Sequence, residues 1–377
     1  MKSANIQRVF PTAMLEEIYS QPECIHQTIE QNIKGDSIFP AALTPIENAL
    51  FSFSKIIIAA SGSSRHAGLA GEIMLEDLAG IAVDVEYASE YCYRSTHAGA
   101  DPIVLVITQS GETADTIAAQ REALNRGAKT ISISNVIDST ISREASSSIY
   151  TYAGLEKAVP ATKSFTAQLA TLYLLALFFA RKRGRMTSEV SRVRLNSLAS
   201  ISASIAKSLP IWDEQALACA KRHREDRGFI FLGRGIHYAV AREGALKLKE
   251  ISRVHAEGLP SGELRHGSNA LVDENLSVVA LATRDTNDPD SMLRYHKTVN
   301  AIEYVKSRGG KVLAIVTEGD DTVHHINDQV IAVPEAPELI TPLLEVVPLQ
   351  LFAHHFGVLN GCDVDHPRNL VKAVITE

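Results

Sequence analysis

The sequence predicts an α/β protein made of two tandem, doubly wound, parallel-sheet domains related by internal duplication, with a helical N-terminal lead and a C-terminal tail. Three observations carry that expectation. Short apolar strands alternate with helical patterns along most of the chain. Each half opens with a strand that breaks at glycine and small polar residues before a helix, Ser61-Gly62-Ser63-Ser64 in one and Gly233-Arg234-Gly235 in the other. Each half also contains a nearly identical helix end, Arg126-Gly127-Ala128-Lys129 and Arg308-Gly309-Gly310-Lys311. Strands alternating with helices make parallel βαβ units with right-handed crossovers.

In chain order, a helix is expected over 14–33 within a lead covering 1–45. The first domain, 46–195, begins with a strand at 55–60 and a helix at 67–78. A second strand at 102–107 feeds a helix at 114–124, which the glycine at 127 stops, and a third strand follows at 130–134. The most apolar run, 165–180, carries Gln168 and is shorter than a bilayer span requires, so it reads as a helix buried between the domains. The polar stretch 181–204 reads as a linker helix. The second domain, 200–355, repeats the plan with strands at 228–232, 277–281 and 312–316 and a helix at 238–251. Between 251 and 265 a long loop is expected, with no counterpart in the first half. The tail is 356–377.

Composition narrows the function. The 377 residues carry a net charge of −7, which disfavours nucleic acid as a partner because phosphate backbones call for clustered Lys and Arg. Four widely spaced cysteines show no metal or redox spacing and suit buried thiols in a reducing compartment. Residues 1–11 are polar, and Glu16 and Glu17 interrupt the apolar residues after them, unlike a secretory signal. The expectation is a cytoplasmic protein without membrane attachment.

In doubly wound sheets, ligands sit beyond the carboxyl ends of the strands. After the strand at 102–107 comes Thr108-Gln109-Ser110-Gly111-Glu112-Thr113, directly before a helix. Free N–H groups, a helix dipole, three hydroxyls and a glycine make an anion site there. A hydroxyl at that place also serves as an ordinary helix cap, but three around one glycine exceed that need. The matching loop of the second half, 282–288, is acidic and lacks glycine, so one half is expected to hold a phosphate and the other to supply chemistry. Gly233-Arg234-Gly235 imitates a dinucleotide fingerprint, yet the acid expected about twenty residues later is missing.

Proton-moving groups concentrate in the second half. Lys247 and Glu250 share one helix face, while Glu243 and Lys249 read as a solvated, salt-bridged surface. Glu250 and His266 flank the expected long loop, and a carboxylate with an imidazole suits proton abstraction beside a carbonyl.

These pieces together resemble the sugar isomerase (SIS) superfamily, and within it the isomerase half of the glucosamine-6-phosphate synthases. The resemblance runs from about Glu17 to Glu377 and is most specific at 61–64, 85–94 (VEYASEYCYR), 108–113, 162–169 (TKSFTAQL), 243–266 and 365–377. It implies two SIS domains and an aldose–ketose conversion of a hexose 6-phosphate, with ammonia entering or leaving at carbon 2. It implies that Ser64, Gln109, Ser110 and Thr113 hold the phosphate, with Ser63 and Thr108 standing where the synthase pattern has Thr and Ser. Glu250 would move the proton between C1 and C2. His266 would open the sugar ring, reaching from a neighbouring subunit, which implies a homodimer with shared sites. Lys247 and Lys372 would assist at the carbonyl end, Lys372 as the Schiff-base candidate, while Glu156 and Val159 line the sugar pocket. No cofactor and no metal are implied.

Two departures bear on direction. The synthases begin with a glutaminase domain whose nucleophile is an N-terminal cysteine, whereas this sequence begins Met1-Lys2. The expectation is a chain that does not draw ammonia from glutamine by itself, a separate amidotransferase remaining open. Ala161 stands where the synthases have a substrate-touching serine. Interconversion of glucosamine 6-phosphate with fructose 6-phosphate and ammonia, running as a deaminase, is therefore expected first. A deaminase or deglycase of another amino- or fructosamine-sugar phosphate comes next, and a non-catalytic sugar-phosphate sensor last.

Overall fold

The computed structural model describes residues 9–39, 41–94, 102–327 and 329–375; the expectations for Met1–Arg8 and for Thr376 and Glu377 fall outside them. The chain opens with α1 (Ala13–Tyr19) and α2 (Gln21–Asn32), then a short antiparallel hairpin, β1 (Ile33–Lys34) and β2 (Ser37–Ile38). The single helix expected at 14–33 is thus divided at Ser20. Pro22 sits in the first turn of α2, where its missing N–H and fixed φ favour a fresh helix start.

The first half runs β3 (Ile56–Ala60), α3 (Gly62–Ala79), β4 (Val83–Tyr87), α4 (Ala88–Tyr91), β5 (Ile103–Ile107), α5 (Ala114–Asn125), β6 (Lys129–Ser134), α6 (Thr140–Glu144), β7 (Ser147–Tyr150) and α7 (Lys163–Lys182). Its sheet is parallel throughout, in the order β4-β3-β5-β6-β7. β3 and β5 are buried along their whole length, as strands covered on both faces must be.

After α8 (Ser188–Arg222), the second half repeats the plan. It runs β8 (Gly228–Gly233), α9 (His237–Ser252), β9 (His255–Pro260), β10 (Leu276–Ala282), α10 (Pro289–Ser307), β11 (Lys311–Thr317), α11 (Asp321–Ile326), β12 (Val330–Val333) and α12 (Pro342–Leu359). Its sheet order, β9-β8-β10-β11-β12, is that of the first half, again all parallel. The duplication read from the helix ends is therefore a duplication of topology.

The long loop expected over 251–265 is not one. Residues 255–260 form β9, pairing in register with β8, and β4 is its counterpart in the first half. β9 reads His-Ala-Glu-Gly-Leu-Pro. It lies on the sheet edge, where Gly, Pro and charge are tolerated and no apolar alternation is needed. The linker helix also differs from expectation. α7 ends at Lys182, and α8 begins at Ser188 and runs 35 residues, about 52 Å at 1.5 Å per residue. The boundary expected between 195 and 200 falls inside α8, and the one at 355 falls inside α12.

Among the described residues, two helical stretches are long and apolar enough to cross a membrane, α7 and Glu338–Leu359, which contains α12, and both are buried inside the fold. They occupy equivalent places after the last strand of each sheet. One hydrophobic core runs from Met14 through both halves to Val364, so the halves share an interior. α3 and α9 meet across it, which brings the strand ends of the first half near the helix of the second.

Candidate functional site

A cavity of about 310 Å³ opens where the loops after β3 and β5, helix α9 and the C-terminal tail converge. The loop after β5 supplies its floor. Gly111 adopts φ +72°, and a Cβ there would fall 2.0 Å from Ser139 Oγ, so both backbone and space demand glycine. Thr108 Oγ1 accepts the Gly111 N–H at 3.3 Å and lies 3.1 Å from Thr113 Oγ1, while Ser110 Oγ accepts the Glu112 N–H at 3.1 Å. The hydroxyls thus brace the loop, and Thr113 makes no side-chain cap bond to α5. The Ala114 N–H, at the helix start, goes instead to the carbonyl of Val374 in the tail at 3.0 Å.

The turn after β3 faces this loop. Ser61, Gly62, Ser63 and Ser64 all line the cavity. Gln168, on α7, donates to Ser64 Oγ at 3.0 Å. Ser63 points across to the second half and donates to Glu243 Oε1 at 2.8 Å, with His66 Nδ1 2.8 Å from Glu243 Oε2.

Helix α9 places Glu243, Lys247 and Glu250 on one face. Lys247 Nζ lies 2.6 Å from Glu250 Oε2 and 3.4 Å from Glu243 Oε1. Glu243 and Lys247 are fully buried, whereas Glu250 keeps a partly open side chain on the cavity wall. Burial opposes charge on Lys247, but Glu250 and Glu243 outweigh it and hold the ammonium above the usual lysine range. Burial would likewise raise Glu243, yet Lys247, His66 and Ser63 keep its carboxyl below the ordinary value. Glu243 is therefore not the solvated salt-bridge member expected of it; Lys249 does lie exposed.

Lys372 enters from the tail, with Nζ 2.5 Å from Glu156 Oε2 and 2.8 Å from the Ala158 carbonyl. Glu156 is itself buried and accepts from Thr162 N (2.9 Å), Ser164 N (3.1 Å) and Ser164 Oγ (2.7 Å) at the start of α7. Burial would raise its pKa, but Lys372 and these donors keep it lowered.

Ser63, Ser64, Thr108, Gln109, Ser110, Thr113, Val159, Lys247, Glu250 and Lys372 all line the one cavity. Glu156 stands behind Lys372. His266 does not join them: it sits exposed on the single-turn 3-10 helix Glu263–His266 that follows β9. Glu243 and Gln168 were missed as site residues. Their signal was a polar side chain at helical spacing from others on the inner face, legible only once the burial was known.

The equivalent place in the second half is filled. His237, at the start of α9, lies 3.0 Å from Glu345 Oε2 and 3.2 Å from Glu338 Oε1, and Thr283 Oγ1 donates to Glu345 Oε1 at 2.5 Å. Burial opposes charge on His237, but Glu345 and Glu338 push its pKa up to about 10. Arg294 closes the cluster on Glu338.

The SIS domain family matches residues 49–178 and 224–359, one match for each half. The chain belongs to the SIS domain family. Among curated SIS relatives, a glutamine–fructose-6-phosphate aminotransferase (isomerizing) from Chlorobaculum tepidum is 41% identical over 370 residues, covering 98% of this chain and 59% of its own length. One from Methanosarcina acetivorans is 42% identical over 367 residues, covering 97% and 58%. The chain thus spans about three-fifths of the length of the curated relatives it matches. Among solved SIS structures, the C-terminal domain of glucosamine-fructose-6-phosphate aminotransferase from Francisella tularensis superposes with a TM-score of 0.87 at 34% identity, over 95% of this chain and 98% of that one. A glucosamine-6-phosphate deaminase from Thermotoga maritima shares the SIS fold, with a TM-score of 0.71 at 21% identity over 96% and 99%.

Proposed function

We propose that this chain is a sugar-phosphate isomerase that interconverts glucosamine 6-phosphate with fructose 6-phosphate and ammonia. The observation that carries the reading is one cavity lined by a hydroxyl-rich helix-start loop, a carboxylate and a lysine: Ser110, Glu250 and Lys372. The loop after β5 would take the phosphate on N–H groups and hydroxyls, anchoring the far end of an open-chain sugar. The Lys372 amine would add to the C2 carbonyl of fructose 6-phosphate and expel water, giving an imine; ammonia would then displace the lysine. Glu250 would take the proton from one of C1 and C2 and return it to the other, which needs one base above the plane of the intermediate. Lys247, bonded to Glu250, would keep that carboxylate oriented. His266 would open the cyclic form from a second copy of the chain, since within one chain it faces solvent.

For the 377-residue chain acting alone, free ammonia is the nitrogen donor, and free ammonia is a small part of the ammonium pool near neutral pH. Release should therefore outrun capture, making deamination the favoured direction. One observation favours a second substrate: Ala161 lines the cavity and offers no hydroxyl there, which would suit another amino- or fructosamine-sugar phosphate. A coupled assay of the purified chain with glucosamine 6-phosphate, following fructose 6-phosphate and ammonia, decides. Turnover without glutamine supports the reading; inertness in both directions overturns it.

A further inference from the structure

Three parts of the chain, far apart in sequence, meet behind Lys372. The Asp365 carboxylate accepts the N–H groups of Ala13 (2.9 Å) and Met14 (2.8 Å) at the start of α1, and its backbone carbonyl accepts the Val159 N–H at 2.8 Å. Further along α1, Glu17 Oε1 accepts the backbone N–H of Lys157 and, at 3.3 Å, that of Ala158. The same short segment carries both partners of the Lys372 amine, the Glu156 carboxylate and the Ala158 carbonyl. Glu17 is 4% exposed, and its second oxygen, Oε2, is buried without a hydrogen-bond partner. A buried carboxylate with one oxygen unsatisfied costs stability, so a stabilising role does not account for it.

We propose that Glu17 is a positioning residue for Lys372: its carboxylate fixes the 156–158 segment, and that segment holds the amine at the cavity wall. The role in turnover rests on Lys372 being the amine that meets the sugar carbonyl, as proposed above. Burial is the chief cause that pushes the Glu17 pKa up to about 7, against the Lys157 N–H, which lowers it. Around this junction Glu156 and Lys372 form a tight ion pair, and Asp365 caps α1. On the helices packed against α1, burial pushes His354 down to about 4 and Cys24 up to about 12, while Asp213 is bonded to Tyr19 and His355. Near neutral pH, ionisation of Glu17 strengthens its hold on the two N–H groups and sets the amine.

The test uses the full chain and needs no substrate at its first step. Reductive methylation with formaldehyde and a hydride donor labels lysines, and peptide mass analysis gives the rate at Lys372 relative to exposed lysines. In the wild type, that relative rate should change at least three-fold through an inflection near pH 7, and Glu17→Gln should remove the inflection. In turnover, Glu17→Gln should lower kcat at least five-fold at pH 8 with KM within two-fold, and the limb near pH 7 should vanish. A merely structural glutamate would shift the urea midpoint and leave both pH profiles alone. If the wild-type Lys372 labelling is flat across pH 6–8, the positioning role is wrong, and that measurement does not depend on the variant folding. A chain inert toward sugar phosphates whose Lys372 labelling still follows Glu17 sinks the proposed reaction and supports the positioning role.

Discussion

Ser110 and Glu250 line the same cavity and are expected to fail differently when changed. Ser110→Ala removes a hydroxyl from the anion loop, so hexose 6-phosphates should bind about 1–3 kcal/mol more weakly by calorimetry, the cost of a charge-assisted bond. Free glucosamine should bind equally poorly to both proteins; equal affinity for sugar and sugar phosphate would remove the phosphate assignment. Glu250→Gln keeps shape and removes basicity, so turnover should fall by about 10²–10⁴ while calorimetric affinity survives. Wild-type turnover in Glu250→Gln would require another base. The hydroxyl-rich loop at 108–113 was legible in sequence because its parts are neighbours along the chain. Glu243 was not. What buries it is Ser63 and His66, about 180 positions away and in the other half, and helical spacing alone cannot distinguish such a residue from a solvated one.

At the scale of elements, glycine stops and fully apolar strands were readable, whereas edge strands were not. β3, β5, β8 and β10 are covered on both faces and announce themselves as apolar runs. β4 and β9 lie at the sheet edges, and β9, with Gly258 and Pro260, resembles a loop until its pairing with β8 is seen. The turn between β5 and α5 makes its own prediction. Gly111→Ala puts a Cβ at positive φ and against Ser139, so the urea midpoint should fall by the equivalent of about 1–3 kcal/mol, with a parallel loss of phosphate affinity. An unchanged midpoint would mean the turn relaxes freely. The buried cluster at the start of α9 predicts a pH effect of known sign. His237 is charged in the folded chain up to about pH 10 but only up to about 6.5 when unfolded. Its pairing with Glu345 and Glu338 therefore stabilises fully below about 6.5 and is lost as pH climbs through about 10. The urea midpoint should decline over that window, and His237→Gln should flatten that part of the decline.

For the molecule as a whole, the shared core and matching sheet orders make the halves one body, in which the first half brings the hydroxyl-rich 108–113 loop to the cavity and the second brings Glu250. His266 lies outside that body's cavity, and in the proposed mechanism a second copy supplies it. Mixing inactive Glu250→Gln with inactive His266→Ala subunits should restore part of the activity through hybrid sites; demonstrated subunit exchange with no recovery would remove His266 from the mechanism. The duplication was legible because it is written twice, but the meeting of the chain's two ends was not, since nothing in Ala13 or Asp365 alone announces a partner some 350 residues away. That meeting sets a timetable for synthesis. The helix carrying Glu17 is made some 350 residues before Asp365 and Lys372 and must wait for them before it can dock. Each half can collapse as it emerges, yet Lys372 is seated only after both halves have been made. Nascent chains arrested before residue 365 should hold folded sheets and no competent site.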